Sequence, residues 1–370
     1  MHMRKSILSV FFILSALTSS AQIYLNPGVD TSFKEVRAAL KFYDSYLLAF
    51  KGKTIPDMAK YWPAAELKMR TIPDQLIYAI NDYPLYSLKC QVTILYVRPT
   101  DKYVHIKTQI ASIDSLKQIS TMAVTNSYVA FDAEGQPYFI SPLTLNLADW
   151  HNRAVRNITF YYPAYHQFDS KRADTLVREV KKLENDWNLK PIDIRYYVTS
   201  DIDELAKLRG FDYTIMMGNK VKPTGFSDEK DHEVYCAGLG ENYFHEVVHV
   251  YLNPVFPKSP LQEGMAVFYG GSMGHQINWH LKRVNQYLLE HPKVDLTNFD
   301  DFWYTDPYTN PGSAIQGMLV SLVYQKDGLP GLKRLMQYTT YDEIFEKEFD
   351  ISKDHVNAFL RKEISEQSAH

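Results

Sequence analysis

The sequence predicts an α+β protein: an amino-terminal unit of helices on an antiparallel sheet, then a unit whose first half mixes strands with helices and whose second half is helical. Three observations predict it. Apolar, strand-like runs fall between Leu88 and Ile140, strand and helix patterns alternate from Ile158 to Ala237, and beyond that point apolar residues recur almost wholly at helical spacing. A chain of 370 residues is long enough for two cores. The implied division is residues 22–150 and residues 155–366, preceded by a short leader, residues 1–21.

The leader has its own logic. Arg4 and Lys5 precede an apolar run from Ile7 to Leu17, and Ser19-Ser20-Ala21 offers the small residues a signal peptidase accepts, which places cleavage before Gln22. The run is too short to span a bilayer, so the expectation is an exported chain, periplasmic or secreted, without stable membrane insertion after cleavage. Hydrophobic residues make up 45% of the chain and charged ones 22%, a globular composition. A formal charge of -3 excludes an overall field that recruits nucleic acid or anionic membrane. Cys90 and Cys236 fall in different units and are expected as two free buried thiols.

In the first unit, Ser32-Phe33-Lys34-Glu35 reads as a capping box opening a helix that runs to Phe50, with Val36, Leu40, Tyr43 and Leu47 on one face. Short helical pieces follow Pro56 and Pro73. Strands are expected at Leu88–Val97, Tyr103–Ile110, Met122–Phe131 and Tyr138–Ile140, the last pair joined through Ala133-Glu134-Gly135-Gln136. This order resembles cystatin-like or nuclear-transport-factor-like folds and carries no motif.

The second unit begins with a strand at Ile158–Tyr162, a helix at Ser170–Trp187 and a strand at Ile192–Val198. A helix from Asp201 to Arg209 closes at Gly210, and strands follow at Tyr213–Met217 and Glu233–Ala237 with a polar loop between. Amphipathic helices are expected at Gln276–Leu289, Ala314–Gln325, Gly331–Tyr338 and Ser352–Ile364.

Between the two halves of this unit lies Phe244-His245-Glu246-Val247-Val248-His249-Val250-Tyr251-Leu252. Its apolar residues recur at helical spacing and Pro254 forbids continuation, so it reads as a short helix. Two histidines four apart on a helix project side by side and can grip one ion, while Glu246 can overhang the position of a bound water. Two imidazoles leave a tetrahedral site half filled. Glu263 is the candidate third ligand, because Ser259-Pro260-Leu261-Gln262 carries the signals of a helix start that puts it in the first turn. The prolines 254, 257 and 260 stiffen the connection that swings this helix back across the first. The competing carboxylates lie in Asp228 to Glu233, namely Asp228, Glu229, Asp231 and Glu233. His275, His280 and His291 have no spacing that ties them to His245 and read as surface or packing histidines.

His245-Glu246-Val247-Val248-His249 followed by Gln262-Glu263-Gly264-Met265-Ala266-Val267-Phe268-Tyr269 resembles the gluzincin zinc metallopeptidases, over about residues 158–364. The resemblance implies a zincin-like domain, Zn²⁺ held by His245, His249 and Glu263, and Glu246 as general base. It also implies a peptide or protein substrate laid along an edge strand, expected at Glu233–Ala237, and an oxyanion-binding tyrosine, matched by Tyr308 or alternatively Tyr304. Two departures stand out. The interval from His249 to Glu263 is shorter than in thermolysin-like enzymes, and Val267 stands where that branch orients a histidine with an acid, so another group, such as a backbone carbonyl, must do so. Metzincins are excluded because Val250-Tyr251-Leu252 lacks their glycine and third histidine. The expected activity is zinc-dependent peptide hydrolysis. The rival readings are a peptidase-like scaffold that binds peptide or glycan without turnover, and an interaction protein with a structural zinc.

Overall fold

The computed structural model describes residues 23–50, 54–76, 90–215, 217–218, 222–302 and 308–368. The leader with its expected cleavage before Gln22, most of the segment after Pro73, and Tyr304 lie outside the described residues.

The protein is a mixed α+β structure with two sheets. The first contains β1 (Ile23–Leu25), β2 (Gln91–Pro99), β3 (Val104–Ile113), β4 (Ile119–Phe131) and β5 (Pro137–Ile140), antiparallel from β2 to β5, with β1 parallel to β2. Helix α1 (Lys34–Ala49) covers it because Val36, Ala39, Tyr43, Tyr46 and Leu47 share one face and are all buried. No capping box forms at its start. Phe33 is the cap residue and has no side-chain cap bond, while the Ser32 backbone N–H donates to Asp30 instead. Helices α2 (Ala64–Met69) and α3 (Pro142–Asn146) are tied together by Glu66, which accepts from the Ser141 backbone N–H and the Thr144 hydroxyl.

The second sheet has the order β10-β11-β8-β7-β6, formed by β6 (His151–Val155), β7 (Ile158–Tyr162), β8 (Ile194–Thr199), β10 (Thr224–Asp228) and β11 (Glu233–Ala237). Its centre is parallel and both outer pairs are antiparallel. Helix α4 (Ser170–Trp187) makes the crossover from β7 to β8, capped by the Asp169 carboxylate and ended by Asn188 in the left-handed region. It buries Ala173, Leu176, Val180 and Leu183, and each such large aliphatic contributes about 1.5–3 kcal/mol relative to exposure.

The expected domain boundary is crossed. After α5 (Ile202–Leu208) the chain returns to the first sheet, where β9 (Phe211–Thr214) pairs antiparallel with β4. A buried polar knot also joins the halves. Glu233 accepts from Arg70, Arg195, Tyr197 and Tyr235, and Asp231 accepts from the Thr71 backbone N–H and hydroxyl. Cys90 and Cys236 are free and buried.

The rest is helical: α6 (Phe244–Leu252), α7 (Gln262–Gly270), α8 (Ile277–Glu290), α9 (Pro311–Leu335), α10 (Tyr341–Phe349) and α11 (Val356–Ser368). Within α9 the path breaks at Gly328, two residues before Pro330, where the sequence separates two helical patterns. Helix α7 starts later than expected. Leu261, not Ser259, is its cap residue; the Ser259 hydroxyl accepts from the Leu261 N–H and donates to the Met336 sulfur, holding the turn that precedes the helix.

Candidate metal centre

Helix α6 lies against the sheet with Val247, Val248, Val250 and Tyr251 buried, which turns His245, Glu246 and His249 toward a cleft of about 350 Å³. Helix α7 packs across α6, and Gly270 is where they touch. A Cβ there would lie 2.3 Å from the His245 backbone nitrogen, so only glycine allows the approach. That crossing delivers Glu263, the second residue of α7, to the two imidazoles.

One ligand atom from each of His245, His249 and Glu263 lies within 4.8 Å of the other two. His245 Nε2 and His249 Nε2 are 3.2 Å apart, with Glu263 Oε1 3.6 Å from the first and Glu263 Oε2 3.3 Å from the second, so the carboxylate straddles the two rings. Donors about 2.0–2.1 Å from one tetrahedral zinc stand about 3.3–3.4 Å from each other, so this donor set fits zinc in chemistry and needs only a small adjustment of the Glu263 carboxylate to fit it in size. It is the only group of this kind found among the described residues.

Both histidines are oriented from behind. His245 Nδ1 donates to the Gly271 carbonyl at 2.6 Å, and the Asn253 side-chain oxygen accepts from His249 Nδ1 at 3.3 Å. Each ring therefore turns Nε2 to the cleft. A backbone carbonyl thus does for His245 what Val267 cannot. The Tyr243 ring stacks on His245 at 5.5 Å and 12°, fixing it from one face. Tyr243 was not singled out in the sequence; its signal was only its place two residues before the first histidine.

The electrostatics are those of a trio holding protons where a cation fits. Burial works against charge on His245, yet Glu263 outweighs it and lifts the imidazole to about 9. His249 is likewise raised, burial opposing and the Glu263 hydrogen bond prevailing. Glu263, whose side chain is partly open to the cleft, is held well below the usual carboxylate range by the two histidines, against the opposing effect of desolvation. Burial pushes Glu246 up, with the neighbouring imidazoles opposing, so it is a stronger proton acceptor than a free carboxylate.

The cleft wall corrects one expectation. Glu233–Ala237 is not an edge strand: β11 is buried throughout and paired on both sides. The edge is β10, whose Thr224, Gly225, Phe226 and Ser227 line the cleft. A Cβ on Gly225 would come within 2.8 Å of the Tyr243 ring, so this glycine lets the edge close on the aromatic that supports His245. The same strand also walls a larger cavity of about 510 Å³, which contains Arg209 but no histidine.

Other expected residues sit elsewhere. Tyr308 is not among the described residues lining the cleft; Thr309 beside it meets His280, which also bonds the Ser272 carbonyl. Of the competing carboxylates, Asp231 and Glu233 are engaged in the knot between the halves, whereas Glu229 lines the cleft and accepts from the Asn253 side-chain amide. His275 stacks on Trp279 and His291 on Tyr287. No protein-family model, curated protein or solved structure matches the chain.

Proposed function

We propose that this protein is an exported zinc-dependent hydrolase of the gluzincin type that cleaves peptide bonds. The observation that carries the reading is the convergence of His245, His249 and Glu263 donors within 4.8 Å of one another, with Glu246 one residue from the first histidine in an open cleft. A strand-bearing half followed by helices that carry the motif supports the zincin-like likeness, and the leader supports export.

A zinc ion held by these three groups supplies the Lewis acidity that acidifies water and polarises a scissile carbonyl. Glu246 takes the proton from the attacking water and hands it to the leaving amine, a task suited to its raised proton affinity. Edge strand β10 offers unpaired main-chain groups to an extended peptide, as sheet augmentation requires. Tyr243 and Gly271 keep the first imidazole aimed while the proton moves. The oxyanion role expected for Tyr308 draws no support from the cleft geometry.

The test is a peptide-library digest and metal analysis of the mature protein beside Glu246→Gln. The expected result is about one zinc per chain in both, with cleavage reduced on the order of 10² to 10⁴ in the variant. Equal cleavage by the two proteins, or binding of library peptides without any cleavage, would overturn the enzymatic reading in favour of a binding scaffold.

A further inference from the structure

Behind the metal helix, facing away from the cleft residues, α4, α6, α7 and α9 enclose a pocket of about 280 Å³ lined by Glu179, Lys182, Phe244, Phe268, Tyr269 and Tyr324. Four of its six lining residues are aromatic. Their planes are steeply inclined rather than stacked: Phe268 meets Tyr269 at 77° and Tyr324 at 57°, and Phe244 meets Tyr269 at 73°. Tyr269 is fixed by a hydrogen bond from Trp187 Nε1 to its hydroxyl. A ring core that only filled space would leave no gap and no acid. Here Glu179, a half-buried residue whose carboxyl is approached by the Asn242 side chain, keeps one oxygen, Oε2, shielded from solvent and without a hydrogen-bond partner among the described residues. The one cation on the wall, Lys182, is satisfied by Asp186 at 2.5 Å and does not pair with Glu179.

We infer that this pocket is a binding site for an organic ammonium group, held by the aromatic faces and by the Glu179 carboxylate. Ring faces carry negative potential and attract a cation within about 6 Å, and a shielded carboxylate supplies the counter-charge. The size suits a trimethylammonium head, whose weak hydration makes it easy to bring out of water. Burial pushes the Glu179 carboxyl upward, opposed by Asn242 and Arg178; a bound cation reverses that push. The site shares no residue with the metal cleft and does not depend on the proposed hydrolysis.

The experiment titrates the full mature protein with choline, and separately with 3,3-dimethylbutan-1-ol, its uncharged isostere, at constant ionic strength. The readout is the indole N–H resonance of Trp187, identified by its loss in Trp187→Phe. Choline is expected to shift it saturably and the alcohol at least tenfold more weakly. Glu179→Gln, which keeps the shape of the side chain, is expected to weaken choline at least tenfold, and Tyr324→Ala several-fold, with the remaining indole signals unchanged. Equal effects of choline and the alcohol would show a merely apolar gap and overturn the inference. So would the absence of a saturable shift, or undiminished choline binding by folded Glu179→Gln.

Discussion

His245 and Gly270 meet backbone to backbone, with the His245 nitrogen at 2.3 Å from the point a Cβ on Gly270 would occupy. The first ligand and the helix that brings the third are therefore positioned by a missing side chain. Gly270→Ala is expected to push α7 off α6 by a few tenths of an ångström or more and to spread the three donors. Zinc affinity should fall at least tenfold while far-ultraviolet circular dichroism is retained. Unchanged affinity in a folded variant would show that the contact does not set the donor spacing.

Glu263→Ala should cost more zinc affinity than Glu263→Gln, since an amide oxygen is a poor ligand but fills the same place. Asp231→Asn should leave zinc binding as it was, because Asp231 serves Thr71. Competition with a chelator of known affinity distinguishes these. Loss of zinc from Asp231→Asn, with Glu263→Ala unaffected, would move the third ligand.

Zinc binding should release protons. The metal-free His245 holds its proton up to about 9, so below that value the ion must displace it. Affinity is expected to fall as pH falls from 9 to 6, with at least one proton released near pH 7. The metal-free protein has the opposite trend. A histidine raised from 6.5 to about 9 contributes stability that is complete below 6.5 and lost as pH rises through 9. Calorimetry in buffers of different ionisation enthalpy measures the first effect, and a pH-independent affinity between 6 and 8 would contradict it.

Glu233→Gln should destabilise the fold without touching the site. Arg70 is fully buried and its charge faces Glu233 at 2.9 Å; removing one member of such a pair typically costs about 3–5 kcal/mol. Chemical denaturation should show a loss of that order, with zinc content preserved. A change below about 1 kcal/mol would mean that Tyr197 and Tyr235 compensate.

Asp74 is buried beneath Tyr46, and burial lifts its carboxyl from 3.8 to about 6 against the Tyr46 and Leu76 hydrogen bonds. A raised carboxyl contributes stability below 3.8 that disappears as pH rises through 6. Asp74→Asn is therefore expected to be more stable than the parent at pH 8, by about 1–3 kcal/mol, and no better at pH 4. Urea midpoints at the two pH values test the sign.

Local pattern was legible and long-range pairing was not. Ile158–Tyr162, Ser170–Trp187 and Glu233–Ala237 occur with the bounds expected, because each is an uninterrupted periodic run between clear breakers. Strand β10 was hidden in a polar loop: Gly225, Ser227 and Asp228 have low strand propensity, and Gly225 is required by the close approach of the Tyr235 carbonyl on the neighbouring strand and of the Tyr243 ring. Strand β6 was missed because His151, Asn152 and Arg153 are exposed and show no alternation. At the centre, the spacing of His245, Glu246 and His249 gave one face of a helix, and the chain order gave Glu263. The Gly271 carbonyl, the Gly270 crossing and the Tyr243 stack depend on how α7 meets α6, which no local signal encodes.

The return of β9 to the first sheet has a consequence for synthesis. A ribosome delivers β1 to β5 well before residue 211, so the amino-terminal sheet waits with part of the β4 edge open while the second sheet is still emerging. The nascent chain is thus most exposed to mispairing in its middle, and the first half becomes complete only when its last strand arrives from inside the second.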